Sequence, residues 1–193
     1  MKRQVLNIIQ NELQRTFQAY AAPLIAVDGR CASGKTTLAA QMQKEWDCNV
    51  IHMDDFFLRS EQRTEERLRQ PGGNVDWERF REEVLTPFQR GTPFSYRPYD
   101  CHVRDFQESV RIIPDRLTVV EGSYSCHPEL WGNYNLHIFL TISLDEQLRR
   151  IQVRNGADKV RDFQQKWIPL EERYFQTFQI AQRCELCFDE ENW

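Results

Sequence analysis

Gly29-Arg30-Cys31-Ala32-Ser33-Gly34-Lys35-Thr36 fits the spacing G-x-x-x-x-G-K-[ST] in full, and no other stretch of the chain limits its fold so narrowly. The spacing has a physical reading. The glycines let backbone N–H groups turn inward around phosphate oxygens, the lysine reaches the β- and γ-phosphates, and the threonine hydroxyl is offered to Mg²⁺. Such a loop must join the end of a strand to the start of a helix, whose positive dipole end then faces the anion. Both flanks are present: the apolar run Leu24-Ile25-Ala26-Val27 ends in Asp28-Gly29, and a helical pattern runs from Thr36 to about Trp46. The expected contacts to a bound nucleoside triphosphate extend from Gly29 through Thr37.

Val50-Ile51-His52-Met53, Leu117-Thr118-Val119-Val120, residues 136–142 and residues 184–188 are further short apolar runs without clean alternation. Strands buried on both faces of a parallel sheet read this way. Helical patterns at 77–88 and 144–154 separate most of them, so the layout is a repeated βαβ with helices covering a mainly parallel sheet. A chain of 193 residues has room for one such domain. Val5, Ile8, Ile9, Leu13, Phe17 and Tyr20 recur at helical spacing and predict a packing helix within residues 1–22. Residues 56–116, rich in Arg, Glu, Pro and Gly, are too long for a plain crossover and predict helices and loops over the sheet edge, where an acceptor would sit.

Lys and Arg number 25 against 29 Asp and Glu, a net charge of −4 that gives no bulk attraction to nucleic acid or an anionic membrane. No apolar run reaches the roughly 18 residues of a membrane span. The basic start Met1-Lys2-Arg3 is followed by Asn7, Gln10, Asn11 and Glu12, which break the apolar core a signal peptide needs, so a cytoplasmic protein is expected. The six cysteines are expected as free thiols; in a strand, Cys184 and Cys187 would face opposite ways, which argues against a metal or redox pair. The end Asp189-Glu190-Glu191 reads as a solvated tail. Partners are reduced to a small-molecule acceptor, with a homo-oligomer left open.

In an open parallel sheet, ligands lie beyond the carboxyl ends of the strands. Asp54 and Asp55 follow the second strand and Glu121 ends the third. Glu121 could hold Mg²⁺ with Thr36, and Asp54 could take a proton from a substrate hydroxyl, with Asp55 a competitor for that role. Phosphoryl transfer gathers charge on the equatorial oxygens, which arginines on a closing lid stabilise. Arg149, Arg150 and Arg154 fall on the helix predicted from residue 144, within a lid region of 144–162, with Asp145 placed to pair with Arg149. A salt-bridged surface helix is the alternative.

From about residue 24 to 188 the chain resembles the uridine kinase family of P-loop kinases, with its phosphoribulokinase-like and pantothenate kinase-like relatives. Ile25-Ala26-Val27-Asp28-Gly29 is similar to the family's opening, His52-Met53-Asp54-Asp55-Phe56-Phe57 to its strand-end D-S-F-Y, and Val120-Glu121-Gly122 to its magnesium-associated E-G. Asn74-Val75-Asp76 resembles N-F-D, which implies a sugar-hydroxyl contact for Asp76. Residues 144–155 resemble the lid pattern D-x-R-L-x-R-R-x-x-R-D, with Gln147 in place of one arginine and Asn155 in place of the last Asp. Phe57 stands where a tyrosine is usual. Pro98-Tyr99-Asp100 is similar to P-x-Y-D-F, but Arg104 stands where a base-reading histidine is expected.

The resemblance implies a P-loop NTPase three-layer sandwich: a mainly parallel five-stranded sheet, helices on both faces and a helical lid. It implies an ATP- and Mg²⁺-dependent kinase with a nucleoside as first acceptor. Asp54, Lys35, Arg149, Arg150 and Arg154 would be catalytic, Thr36 and Glu121 would hold the metal, and Asp54, Phe57, Asp76, Tyr99 and Arg104 would meet the acceptor. Arg104 suits an acidic or phosphorylated acceptor equally well. A regulatory ATPase is the remaining alternative, although the chain has no N-K-x-D guanine-reading tetrapeptide.

Overall fold

A computed structural model describes residues 3–190. Met1 and Lys2 of the basic start, Glu191 of the acidic end, and the last two residues lie outside the described residues. In chain order the structure runs α1 (Arg3–Ala19), β1 (Leu24–Gly29), α2 (Lys35–Trp46) and β2 (Asn49–His52). The acceptor-side segment follows, with α3 (Glu65–Arg69), α4 (Trp77–Phe80), a π-helical turn Arg81–Leu85, α5 (Thr86–Gln89) and the short strands β3 (Phe94–Tyr96), β4 (Tyr99–Asp100), β5 (Asp105–Phe106) and β6 (Val110–Ile112). The chain then returns to the main sheet through β7 (Thr118–Glu121), α6 (Pro128–Trp131) and β8 (Leu136–Leu140). It closes with α7 (Leu144–Asn155), α8 (Ala157–Asp162), a π-helical turn Phe163–Trp167, α9 (Ile168–Phe178), α10 (Ile180–Arg183) and β9 (Leu186–Phe188).

The main sheet has the order β2-β7-β1-β8-β9, and every neighbouring pair is parallel. Its central strands are buried on both faces, which is why their sequences show no alternation. Ile25 and Val27 of β1 join Leu38, Ala39 and Met42 of α2 and Val5, Ile9 and Leu13 of α1 in one core. Leu24 and Ala26 face the other way, into a core with Phe80, Val84, Tyr174 and Phe175. Helices on both faces of the sheet make the three layers.

Three details differ from the sequence reading. Ile8, Phe17 and Tyr20 are 38%, 44% and 50% exposed, while Leu6 is buried instead. Helix α1 therefore seals the sheet with a narrower stripe, each fully buried side chain contributing about 1.5–3 kcal/mol. The acceptor-side segment also holds two antiparallel pairs, β3 with β6 and β4 with β5. Strands of two or three residues carry too little periodicity to be seen in a sequence. At the chain's end, Glu190 accepts hydrogen bonds from the Ser143 N–H and hydroxyl at 3.1 and 3.0 Å, so it caps the region before α7 rather than standing in solvent.

Candidate active site

The loop between β1 and α2 has the backbone its glycines allow. Gly29 has φ +141°, and a Cβ there would lie 2.0 Å from the Leu140 carbonyl oxygen, so β8 can pair closely only with glycine at that place. Gly34, at φ 102°, ends the loop and leaves α2 without a side-chain cap. Helix α7 shows the contrast, because there the Ser143 hydroxyl accepts from the Glu146 N–H. No backbone acceptor outside the regular elements takes the N–H of Gly34, Lys35 or Thr36, so these donors face the cleft at the positive end of a helix. Lys35 is buried, and its Nζ donates to the carbonyls of Gly29 and Arg30 at 2.8 and 3.0 Å, folded back along the loop it would leave to meet a phosphate.

The other half of the loop is held from outside. The Cys31 N–H donates to the buried Glu171 carboxylate at 2.9 Å, and Ser123 donates to the same carboxylate at 2.8 Å. Arg30 forms a two-pronged pair with Glu172 at 2.6 and 2.9 Å and also bonds the Thr141 hydroxyl. Gln147, 1% exposed, donates to the Cys31 carbonyl at 3.1 Å. The departure from the lid pattern at Gln147 is thereby explained: this position packs under the loop, and a neutral amide fits there. Burial, reinforced by Glu171, pushes the Cys31 thiol up to about 12, so it is inert. Burial also raises the Glu171 carboxyl above its ordinary range.

Thr36 and Glu121 meet as expected. The Thr36 hydroxyl lies 3.1 and 3.2 Å from the two Glu121 oxygens, at the end of β7. This hard-oxygen pair fits Mg²⁺, which commonly takes one or two protein oxygens and completes its shell with phosphates and water. His52 Nδ1, 2.6 Å from Glu121, is a partner that sequence reading missed. The hydrogen bond to Glu121 raises the His52 pKa against the opposing effect of burial.

Asp54 opens onto the same cleft, within a 3₁₀ turn after β2. The residue is solvent-exposed within the wall of that cleft, and among the described residues no hydrogen-bond donor satisfies its carboxylate. Desolvation in that wall raises its pKa, with Glu121 and Asp55 adding to the rise and Lys35 and His52 opposing it. Asp55 turns away and accepts from the buried Tyr96 hydroxyl at 3.0 Å.

The cleft has a volume of about 1140 Å³. Lys35, Thr36, Asp54 and Glu121 line it together with Arg150 and Arg154 of α7. Arg150 bonds Glu146 at 2.6 Å and the Ala32 carbonyl at 3.3 Å, which aims it at the loop. Arg149, about 100° further round α7, is outside the cleft lining and pairs with Glu146 at 2.6 Å rather than with Asp145. Phe57, Tyr99 and Arg104 line the same cleft. Asp76 does not: it caps α4 by accepting from the Arg79 N–H at 3.1 Å, and its other oxygen accepts from Gln62 at 2.7 Å. Asn74, two residues earlier, lines the cleft in its place. All six cysteines are free; Cys184 precedes β9 and Cys187 is exposed within it.

No protein-family model and no curated protein matches the sequence. Among solved structures, that of a possible uridine kinase from Bacillus stearothermophilus is similar with a TM-score of 0.65 at 17% identity, covering 94% of this chain and 99% of that one. A shikimate kinase from Bacteroides thetaiotaomicron is matched at a TM-score of 0.43 and 17% identity, over 86% of this chain and 85% of that one. At such identities a likeness speaks for the backbone and not for the substrate. The likeness to the first of these structures extends over nearly the whole of both chains, and the protein, whose five parallel strands run in the order 2-7-1-8-9 with the glycine loop at the end of the middle one, shares the α/β fold of that possible uridine kinase.

Proposed function

We propose that the protein is a Mg·ATP-dependent kinase that transfers the γ-phosphoryl group to a hydroxyl of a small molecule. The observation that carries this reading is the Asp54 carboxylate, free of protein donors, in one cleft with Lys35 and the Thr36–Glu121 pair. In this reading Lys35 and the N–H groups of Gly34, Lys35 and Thr36 hold the β- and γ-phosphates. Thr36 and Glu121 would hold magnesium, which when bound neutralises charge on the phosphate oxygens. Asp54 takes the acceptor's hydroxyl proton as that oxygen bonds to the γ-phosphorus; the bridging P–O bond breaks, and ADP leaves with its electron pair. Arg150 and Arg154 stabilise the charge that spreads over the transferring group, and closure of the lid keeps water from taking the acceptor's place.

The resemblance to uridine kinases makes a nucleoside the first acceptor to test. Phe57 without a hydroxyl, Arg104 in place of a base-reading histidine, and Asp76 engaged in a helix cap favour a second reading, an acidic or phosphorylated acceptor. ADP release from Mg·ATP, with mass detection of product, tests the class: ADP rising only when a hydroxylated acceptor is added supports the kinase, whereas equal ADP with no acceptor supports a regulatory ATPase. Among the described residues no helix is long and apolar enough to cross a membrane.

A further inference from the structure

The cleft is basic beyond the needs of a nucleotide. Among the described residues, seven Lys and Arg side chains and four carboxylates line it, in a chain whose net charge is −4. Three of the four carboxylates are engaged: Glu121 by Thr36 and His52, Glu171 by Cys31 and Ser123, and Asp162 within 3.8 Å of Lys159. The cations divide by element. Lys35, Arg150 and Arg154 belong to the phosphate loop and lid, and they suffice to match a magnesium-bound triphosphate.

Arg63 and Arg104 belong to the acceptor-side segment. Arg63 ends the 3₁₀ turn Ser60–Gln62, and among the described residues its guanidinium has no carboxylate partner and lies over the face of Trp167 at 5.9 Å. Arg104 sits in the turn between β4 and β5 in a left-handed conformation, φ 60°. That turn is braced by its own N–H on the Asp100 carbonyl at 2.8 Å and by the His102 N–H on the Asp100 carboxylate at 2.7 Å. The turn presents to the cleft an arginine whose guanidinium has no ion pair or hydrogen bond among the described residues. Cys101, in the same turn, lines the cleft together with Arg63 and Asp54.

A third group faces that space. Asn74 is 5% exposed and lines the cleft, and its Oδ1 is buried without a hydrogen-bond partner. A buried acceptor left unpaired is costly, and such groups in folded proteins mark the place of an absent partner. Its own carbonyl fixes it by accepting from the Leu58 N–H at 3.3 Å, next to Phe57.

We propose that the acceptor is a small hydroxylated anion, a carboxylate or a phosphate ester, whose acid group is met by Arg63 and Arg104 and whose backbone of hydroxyl or N–H groups donates to Asn74 Oδ1. The proposal rests on the kinase reading for the reaction itself and adds the class of acceptor. The hydroxyl to be phosphorylated lies toward Asp54, and the transfer is balanced as written above.

The deciding experiment titrates inorganic phosphate, by calorimetry, into the full chain saturated with magnesium and a non-hydrolysable ATP analogue, so that the γ-phosphate place is already filled. Phosphate binds the wild-type protein, and Arg63→Gln and Arg104→Gln each weaken it about tenfold or more. Arg90→Gln, an exposed change outside the cleft, leaves it unaltered. Unchanged phosphate affinity in both cleft variants, or no binding to wild type, overturns the acid subsite.

Paired acceptors then separate the two sources: ribose against ribose 5-phosphate, and pantothenol against pantothenate. ADP release confined to one acidic member, with KM raised about 10- to 100-fold by Arg104→Gln and by Asn74→Leu, names the acid. Equal turnover of uridine or any neutral partner also overturns the subsite while leaving the kinase reading intact. ADP release independent of every acceptor overturns the kinase reading, and the phosphate titration still judges the subsite.

Discussion

Asp54→Asn removes one charge and keeps the side chain's shape, and the structure assigns it opposite effects on activity and stability. The carboxylate receives no hydrogen bond from the protein, so the amide forfeits none. Desolvation, Glu121 and Asp55 hold the carboxyl above its ordinary range. The folded state therefore binds this proton more tightly than the unfolded chain does. The group favours folding only below its unfolded value near 3.8, and that contribution is lost as pH rises through the raised folded value. At pH 7 the charge opposes folding, and Asn relieves it, so Tm is equal to wild type or higher. Loss of a positioned base costs about 10²–10⁴ in kcat, or about 3–5 kcal/mol. The loop donors and Lys35 are untouched, so the Kd for the nucleotide changes by less than about twofold, well under the tenfold that 1.4 kcal/mol represents. Scanning calorimetry, nucleotide titration and ADP release read the three quantities. A kcat near that of wild type would sink the assignment; so would a Tm several degrees lower, which would mean that Asp54 holds the fold rather than the reaction.

Other expectations are shorter. Gly122→Ala places a Cβ 2.9 Å from Met53 Cβ and 3.3 Å from Asp54 Oδ1 at φ +138°; strain of about 1–3 kcal/mol should lower both Tm and kcat, and retention of both is the contrary result. Arg150→Gln, removing a cation aimed at the loop, should lower kcat about 10²-fold, whereas Arg149→Gln, outside the cleft, should change it less than about twofold; equal losses would restore Arg149 to the lid's chemistry. His127 is stacked between Trp77 and Tyr174, and burial pushes its pKa down to about 4. Its contribution is complete above the unfolded value near 6.5 and is lost as pH falls toward 4, about 3 kcal/mol in all. Urea midpoints at pH 7 and 4.5 should converge for wild type and His127→Phe relative to their separation at neutral pH, and a separation independent of pH would refute this. The acid limb of kcat/KM against pH, which reports the free enzyme, should lie above the usual carboxylate range, because Asp54 must be ionised to act; a limb at an ordinary carboxylate value would point to another base.

What was legible in the sequence was whatever local spacing determines. The loop from Gly29 to Thr36, the strand ends at Asp54 and Glu121 and the face of α7 that carries Arg150 and Arg154 are short-range patterns, and each is found where its spacing put it. Arg149 was not separable from Arg150 by charge alone; the helix phase divides them, because Arg150 lies on the side of buried Gln147 and Ile151. Asp76 was misplaced for a different reason. An Asp three residues before Arg79 at a helix start is also a capping signal, and the cap took the carboxylate. His52, Glu171 and Asn74 had no local signal, since their importance comes from residues 69, 140 and 16 or more positions away in the chain or from the lack of any partner.

The contacts around the loop show why such long-range pairings decide the geometry of the site. Arg30 and Cys31 belong to the phosphate-binding motif, yet the one is committed to Glu172 and the other to Glu171, both on α9. Gln147 on α7 grips Cys31 from another side, and Ile151 packs against Cys31 and Ile168 in a small buried cluster. Exposed ion pairs contribute about 0–1 kcal/mol and yield to salt, whereas the Cys31–Glu171 and Gln147–Cys31 bonds are buried and lose little of their strength. Arg150 is one turn from Gln147 and rests on Ala32. Its register to the phosphate loop is thus set by a buried amide and an apolar contact. Its exposed partner Glu146 is shared with Arg149 and cannot set that register alone. The motif supplies the donors; the second half of the chain holds them, and the lid arginine beside them, in one frame.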